Sequence, residues 1–330
     1  MKLASIFTDN AVFAAGKPIR IFGCGKGLAK IEFCGITREV ISEDEKWCVT
    51  LPKMEYGGPY TLKFTSEGVE KILTNIHIGE VYLFSGQSNI GFRLSDSNTP
   101  RDEWEEIESL MLLEVGFYSF GYGWRRAKSG VFENFSALGY LVGKEISKKK
   151  GVAVGIIQCS QGASIIESWL PEGTLEKIGI SIPTEDKHDD HIEEEYEDWN
   201  KDAVLYEKKL KEVIPYSLSG VIWYQGESDA SEAEGLVYER ELSELIRIWR
   251  EKFLSPSLPF TVVQLADNRH RMAMGPGWEL IQKAQADISR SVPNVYTAVS
   301  RDVCETDDIH PKTKKILAER IASIILKNYF

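Results

Sequence analysis

Hydrophobic and polar positions alternate with a period of two over the first 75 residues of the chain. Residues 29–33 and 47–51 read apolar, polar, apolar, polar, apolar, and Gly57-Gly58-Pro59 interrupts the chain before the alternation resumes. Short alternating strands separated by glycine turns are typical of antiparallel β-sandwiches. We therefore expect a small, jelly-roll-like β-sandwich domain over residues 1–75.

The pattern changes at residue 76, where apolar runs begin to alternate with amphipathic, helix-like runs. Strands are predicted at 80–84, 152–158, 220–224, 260–265 and 294–299. Helices are predicted at 135–148, 203–213, 234–252, 279–290 and 311–327, the last of them opened by Pro311. This alternation is typical of parallel sheets that are covered on both faces. It predicts an α/β fold for residues 76–330, a three-layer, doubly wound domain built on a five-stranded parallel sheet.

The chain has 330 residues, and its 39 Lys and Arg against 50 Asp and Glu give a net charge of -11. Because nucleic acids and anionic membranes attract proteins through Lys and Arg, this balance argues against both kinds of partner. The five cysteines form no CxxC pair, which indicates a reducing compartment. We see no signal peptide and no membrane-spanning apolar run, so we expect a cytoplasmic protein. The composition gives no indication of the oligomeric state.

Much of the negative charge lies in one segment, residues 185–198, which holds nine carboxylates and a single lysine. This acidic segment is either a lid over the ligand-binding edge of the sheet or a disordered solubility element. As a lid it would repel anionic ligands within roughly 10 Å at ordinary salt. His188, Asp189, Asp190 and His191 within it could ligate zinc, but nothing around them indicates convergent ligands, which favours a solvated loop.

The turn after the first predicted strand of the parallel sheet carries a candidate nucleophile. Ser88 follows Gly86 and Gln87 at a strand-to-helix turn. Its hydroxyl would stand at the ligand-binding edge of the sheet, beside the unpaired N–H groups that begin a helix. The alternative is that Ser88 only caps this helix, as serines at such positions do.

The turn after the last predicted strand carries a candidate base. His310 and Asp307 stand three residues apart in the same turn, so one loop delivers both. His310 would take the proton of Ser88, while Asp307 would orient the imidazole and stabilise the imidazolium. Asp308 is an alternative orienter. Asp307, Asp308 and His310 could also form a metal site, and a histidine in an acidic surface turn is the third possibility.

The turns after the second and third strands supply candidate hydrogen-bond donors for an oxyanion. Gly162 lets the backbone approach a substrate closely, so its N–H joins that of Ser88 as a candidate; the alternative is a plain turn glycine. Gln225 and Glu227 follow the third strand, where polar groups are unfavourable unless they are used or paired.

Taken together, these turns resemble the four motif blocks of the SGNH-type carbohydrate esterases, in the group that contains sialate O-acetylesterases and acetylxylan esterases. The matching blocks are residues 86–89, the Gly162 turn with Glu167-Ser168-Trp169, residues 223–229 and residues 307–311. The first 75 residues also resemble the N-terminal β-sandwich of that group. The resemblance therefore covers nearly the whole chain, and it implies that the doubly wound domain is a flavodoxin-like SGNH hydrolase.

The resemblance further implies an enzyme that removes O-acetyl groups from a carbohydrate through a Ser-His-Asp acyl-enzyme mechanism, with no metal or organic cofactor. Ser88 would be the nucleophile, His310 the base and Asp307 its orienter. The N–H groups of Ser88 and Gly162 would form the oxyanion hole.

One block departs from the pattern, because Ser228 stands where the wider superfamily has an asparagine, and Gln225 is our substitute for that third oxyanion donor. Candidate contacts to the sugar are Gln87, Asn89, Trp169, Glu227, Asn268 and Arg269. An acidic lid beside them predicts a preference for neutral acetylated sugars over sialic acid.

Two other functions remain open on the sequence. The chain could be a catalytically weak carbohydrate-binding protein, in which exposed aromatic side chains of the sandwich such as Trp47 or Tyr60 grip a sugar. Both stand at strand positions, which favours packing roles for them. It could also be an SGNH esterase that acts on acyl esters other than carbohydrates.

Overall fold

The N-terminal part of the chain folds into two β-sheets. The computed structural model describes residues 1–117, 121, 123–189, 194–196, 198–269 and 276–329. The strands of the first part are β1 (Lys2–Leu3), β2 (Val12–Ala14), β3 (Ile19–Cys24), β4 (Gly27–Phe33), β5 (Ile36–Ser42), β6 (Lys46–Leu51), β7 (Gly57–Ser66) and β8 (Val69–Gly86). Strands β1, β3 and β6 form one antiparallel sheet. In the other, β4 pairs with β5 and β7, and β7 pairs with β8.

Trp47 and Tyr60, the two aromatic candidates for sugar binding, both contact aromatic rings of the sandwich. Exposed and buried residues alternate along β6, and Trp47 is only 5% exposed. Its ring stacks on Phe64 with centroids 5.7 Å apart. Tyr60 is 37% exposed and packs edge-on against Phe33. Trp47 therefore belongs to the core and offers no face to a sugar.

The second part of the chain is an α/β domain around a mainly parallel sheet. Its further strands are β9 (Ile107–Glu114), β10 (Arg125–Ala127), β11 (Val154–Ser160), β12 (Gly220–Tyr224), β13 (Phe260–Val263) and β14 (Val295–Ala298). The five predicted strands lie parallel in the order β11-β8-β12-β13-β14. The prediction missed β9, which adds a parallel strand beside β11, and β10, which pairs antiparallel with β9. With the sandwich strands that join it, the sheet has eleven strands among the described residues rather than five.

Strand β8 is 18 residues long and belongs to both parts of the chain. Its first half pairs antiparallel with β7, and its second half, from Glu80, lies parallel between β11 and β12. It runs without interruption through residues 75 and 76, where we expected a domain boundary. The sandwich and the α/β domain consequently share a strand and one continuous hydrophobic core.

Helices cover the parallel sheet. The α-helices are Ser88–Gly91, Ala137–Lys150, Thr174–Lys177, Lys211–Val213, Glu232–Lys252, Trp278–Ser291 and Lys315–Asn328, with a π-helix at Tyr206–Leu210. Single 3-10 turns lie at Leu94–Asp96, Arg101–Glu103, Phe132–Asn134, Glu167–Trp169, Thr184–Asp186, Glu194–Tyr196 and Glu227–Asp229. No helix in these described ranges is both long enough and apolar enough to cross a bilayer.

The last helix begins at Lys315, so the prediction that Pro311 opens it is wrong. The carboxylate of Glu305 accepts hydrogen bonds from the backbone N–H and the hydroxyl of Thr313, at 3.0 and 2.8 Å. These bonds hold residues 311–314 in a non-helical turn, so that the turn after β14 is longer than the sequence pattern indicated.

Candidate active site

Ser88 lies directly beyond β8, on a turn that requires glycine. Gly86 has a φ of 130°, and a Cβ at this position would lie 2.1 Å from the carbonyl oxygen of Tyr224 on the neighbouring strand β12. Ser88 then begins the short helix Ser88–Gly91, for which no side chain acts as a cap. Its Oγ lies instead 2.8 Å from Nε2 of His310. The turn after β8 and the turn after β14 thus bring the candidate nucleophile and the candidate base within hydrogen-bond distance.

Two backbone N–H groups stand beside this hydroxyl. Within the described ranges, neither the N–H of Ser88 nor that of Gly162 donates to a protein acceptor, whereas the intervening turn is fixed by a bond from Gln161 N–H to the Gly86 oxygen. A Cβ at Gly162 would lie 3.8 Å from that of Ser88. Two free donors close to a nucleophilic hydroxyl are what an oxyanion hole requires.

Asp308, rather than Asp307, interacts with His310. Its Oδ1 accepts the backbone N–H of His310 at 2.8 Å. Asp307 is exposed, and no other described residue hydrogen-bonds to it or forms an ion pair with it. The carboxylate of Asp307, the expected orienter, therefore forms no hydrogen bond with the imidazole of His310.

The charges around His310 predict how the activity depends on pH. Burial lowers the pKa of His310 below its ordinary value of 6.5; the Asp308 charge opposes this shift and the Lys314 charge adds to it. Because a general base must be neutral, we expect kcat/KM to decline only below pH 6.5. Asp308→Asn removes the charge that raises this pKa and should move the acid limb of the pH profile to lower pH, whereas Asp307→Asn should leave it in place. An acid limb that moves only with Asp307→Asn would contradict this pairing.

Gln225 does not reach the oxyanion site. Its side chain is fully buried, and its amide nitrogen donates to the Ser164 carbonyl at 2.8 Å and to the Asp229 carboxylate. Its amide oxygen accepts the hydroxyl of Tyr238 at 2.9 Å. Both N–H groups of the amide are therefore committed inside the protein, and the assignment of Gln225 as the third donor is corrected.

Trp169, Asn268 and Arg269 also lie away from Ser88. Trp169 is fully buried and packs edge-on against Trp223, with centroids 6.0 Å apart. Asn268 is buried, Arg269 is exposed, and neither lines the cavity at Ser88. The Trp169 indole belongs to the hydrophobic core. Its place in the turn after β11 therefore does not bring it to Ser88.

The polar side chains next to Ser88 hold the motif turns to each other. The Gln87 amide oxygen accepts the N–H groups of Gly226 and Glu227 at 3.0 and 3.1 Å, and its nitrogen donates to the Ser228 hydroxyl at 3.1 Å. The nitrogen of Asn89 donates to Glu227 Oε1 at 2.7 Å. Gln87 and Glu227 do line the cavity, but Asn89 does not. These residues, predicted as sugar contacts, mainly join the first turn to the third.

Ser88 stands where two lobes of a cavity meet, and both lobes are also lined by Gln87 and Gly162. The larger, aromatic lobe has a volume of about 520 Å³. Its walls include His188, Tyr196, Trp199, Glu227, Ile309 and His310. The smaller, polar lobe has a volume of about 300 Å³. Its walls include Phe92, Arg93, Asp96, Glu114, Asn134 and Gln158.

The described part of the acidic segment contributes to the wall of the aromatic lobe. Lys187 forms an ion pair with the buried Glu167 at 3.2 Å, and the His188 N–H donates to Glu234 at 3.0 Å. Tyr196 packs against Trp199 with centroids 5.8 Å apart. Neither Tyr196 nor Trp199 was predicted as a site residue. The signal in the sequence that could have found them is an aromatic pair in and directly after a run of carboxylates.

The alternative zinc cluster falls partly outside the described residues, because Asp190 and His191 lie there. Among the described residues, no three or more His, Cys, Asp or Glu side chains are grouped so that they could hold a metal ion. That finding covers the second possible metal set, Asp307, Asp308 and His310, in full.

Comparisons with known proteins give a consistent picture. The family model described as "Carbohydrate esterase, sialic acid-specific acetylesterase" matches residues 78–327. The sialate O-acetylesterase of Homo sapiens is 27% identical over 332 residues, which cover 86% of this chain and 60% of the human protein. That of Pongo abelii is also 27% identical, over 328 residues, with the same coverage. The chain thus spans about 60% of the length of these curated relatives.

Two solved structures are similar to this chain in fold. The crystal structure of a carbohydrate acetylesterase from Xanthomonas citri superposes with a TM-score of 0.85 and 26% identity, covering 99% of this chain and 75% of that one. A protein from Arabidopsis thaliana superposes with a TM-score of 0.52 and 17% identity, covering 76% of this chain and 99% of that one, which shows a shared fold alone.

Proposed function

Because this chain belongs to the carbohydrate esterase family of sialic acid-specific acetylesterases, we propose that it hydrolyses O-acetyl esters of a carbohydrate through an acyl-enzyme on Ser88. The observation that carries the proposal is the 2.8 Å contact between Ser88 Oγ and His310 Nε2, beside two free N–H donors at the junction of two cavity lobes. The strand order β11-β8-β12-β13-β14 supports a doubly wound SGNH hydrolase core, with Ser88 beyond the carboxyl end of β8.

In the acylation half-reaction, His310 Nε2 accepts the proton of Ser88 while Oγ attacks the carbonyl carbon of the acetyl group. The carbonyl oxygen becomes an oxyanion and accepts hydrogen bonds from the N–H groups of Ser88 and Gly162. The tetrahedral intermediate collapses when His310 returns the proton to the sugar oxygen. The sugar hydroxyl leaves, and the acetyl group remains on Ser88.

In the deacylation half-reaction, water replaces the sugar next to His310. Nε2 accepts a proton from this water, whose oxygen attacks the acetyl carbonyl, and the same two N–H groups stabilise the second oxyanion. His310 then protonates Ser88 Oγ, which releases acetate and restores the enzyme. Burial lowers the pKa of His310, so the imidazole is neutral and ready to accept a proton at pH 7.

We assign the sugar to the aromatic lobe, because the rings of Tyr196 and Trp199 offer apolar surface there while Glu227 supplies a hydrogen-bond acceptor. Charge then argues for a neutral sugar. Asp96 and Glu114 line the polar lobe, and among the described lining residues of both lobes Arg93 alone is an arginine or lysine.

We expect an acetylated neutral oligosaccharide to be hydrolysed with a higher kcat/KM than 9-O-acetylated sialic acid at low salt, because carboxylates outnumber cations in the cavity. Acetate release measures this. The methyl ester of the same sialic acid is the matched control, since it keeps the acetyl group and removes the charge; it should be hydrolysed faster than the free acid.

If the free acid is the best substrate at low salt and loses its advantage with Arg93→Ala, Arg93 binds the carboxylate and the neutral preference is wrong. If simple aryl acetates exceed every acetylated sugar in kcat/KM, the esterase acts on other acyl esters and the carbohydrate assignment is wrong.

A further inference from the structure

A fully buried lysine lies behind the proposed active site. Lys314 is 0% exposed and directly precedes the last helix. Its ammonium group lies 4.8 Å from the ring centroid of Phe92 and 5.8 Å from that of Tyr224. Burial of a lysine is unfavourable unless its ammonium is hydrogen-bonded or neutralised. Lys314 lines neither lobe of the cavity, so substrate contact does not explain its place.

Asn89 connects this ammonium to the loop that carries His310. Lys314 Nζ donates to Asn89 Oδ1 at 2.7 Å. The Asn89 nitrogen donates in turn to the Ile309 carbonyl at 2.8 Å and to Glu227 Oε1 at 2.7 Å. Because the ammonium can only donate, it fixes which end of the Asn89 amide faces Ile309. The residue before His310 is therefore held by an amide whose orientation Lys314 sets.

Phe92 is a second residue that contacts both Lys314 and His310. The His310 imidazole stacks on the Phe92 ring with centroids 6.3 Å apart and an interplanar angle of 25°. Lys314 contacts the same ring as a cation. The lysine thus touches two residues, Asn89 and Phe92, that each contact the His310 loop directly.

We propose that Lys314 is a positioning residue, which holds the His310 loop against Ser88 through Asn89 and Phe92. The proposal deepens the esterase function above and rests on it for the role of His310. It assigns no contact between Lys314 and substrate.

The charges that face Lys314 are consistent with an ammonium at neutral pH. Burial lowers its pKa to about 8, and Cys304, Glu227, Glu305 and Asp308 oppose this shift. Burial also raises the pKa of Cys304 to about 11, so this thiol is neutral at pH 7 and the three carboxylates are the countercharges. The ammonium in turn lowers the pKa of His310.

The test is Lys314→Met, which keeps an unbranched side chain of similar length and removes the charge and the donors. We expect kcat to fall by about 10 to 100-fold through a misplaced base, with KM unchanged. The acid limb of the pH profile should move to higher pH, because the charge that lowers the pKa of His310 is gone. A purely structural loss would lower activity at every pH without moving this limb. The exposed Lys312, changed to Met, is the matched control.

A substrate-free readout separates this proposal from the esterase proposal. An NMR titration of the five histidines, with His310→Gln to assign the signal, should show a higher pKa of His310 in Lys314→Met and no change in Lys312→Met. This shift is expected whether or not any acetylated sugar is turned over.

Wild-type kcat in Lys314→Met, or a lower kcat with no shift of the acid limb or of the His310 titration, would overturn the proposal. If circular dichroism shows that Lys314→Met does not fold, Asn89→Ala interrupts the same link. It should lower kcat at unchanged KM, and an unchanged kcat would equally overturn the proposal.

Discussion

Ser88→Ala is expected to lower kcat/KM for p-nitrophenyl acetate by about 10⁴-fold or more. In the proposed mechanism this hydroxyl bonds to the acetyl carbon, and no other serine within the described residues hydrogen-bonds to the imidazole of His310. Substrate affinity should change little, because the proposed oxyanion donors are backbone N–H groups that alanine retains. The measurement is the initial rate of p-nitrophenol release by purified variant and wild type.

Ser289→Ala is the control for this variant, because Ser289 is exposed on the helix Trp278–Ser291, outside both lobes of the cavity. It should hydrolyse the ester at the wild-type rate. A Ser88→Ala rate close to wild type would place the nucleophile elsewhere. No hydrolysis of any acetyl ester by the wild type would favour the carbohydrate-binding alternative.

His310→Ala is expected to have a loss of similar size, since Ser88 without a base is a weak nucleophile at neutral pH. In the proposed mechanism the two residues act as a unit, so the double variant Ser88→Ala/His310→Ala should be no slower than the slower single variant. Rates of acetate release from an acetylated oligosaccharide test both statements. His77→Ala is the control, because this half-buried histidine bonds to Asn75 in the sandwich.

If the rate loss of the double variant equals the product of the two single losses, Ser88 and His310 contribute independently. That result would contradict a shared proton transfer between them. A His310→Ala variant with high activity would assign the base to another residue. His188, which lines the same cavity, would then be the first candidate to change.

The parts of the site that could be predicted from the sequence are those fixed by local chain geometry. Ser88 and Gly162 directly follow the ends of β8 and β11, His310 lies in the long turn after β14, and the carboxyl ends of parallel strands meet at one edge of the sheet. The family resemblance carried by these short turns is confirmed by the match over residues 78–327. Local patterns therefore place these candidates at a common edge, because each position depends mainly on its own strand and turn.

The partners of side chains could not be predicted in the same way. Asp307 and Asp308 are neighbours in sequence, and only the folded turn shows that Asp308 holds the His310 N–H. Gln225 stands at a strand end as an available donor would, but its amide nitrogen already donates to Asp229 and Ser164. Such choices depend on which distant groups pack nearby, and strand and helix periodicity contains no information about them.

Strand β9 and the burial of Lys314 could not be predicted from the sequence, for different reasons. Strand β9 is an apolar run without a motif turn, so nothing in the chemistry drew attention to it. Lys314 reads as one of several lysines near the start of a helix, and its complete burial follows from the turn that Glu305 and Thr313 hold open. Both are consequences of tertiary packing.

Whether Ser88 is the nucleophile can be tested by covalent trapping. A fluorophosphonate probe reacts with activated serines, and mass spectrometry of the intact chain and its peptides locates the adduct. We expect one adduct per chain on the peptide that contains Ser88, no adduct in Ser88→Ala and slower labelling in His310→Ala. An adduct on another residue, or no labelling of a protein that hydrolyses acetyl esters, would contradict the assignment of Ser88 as the nucleophile.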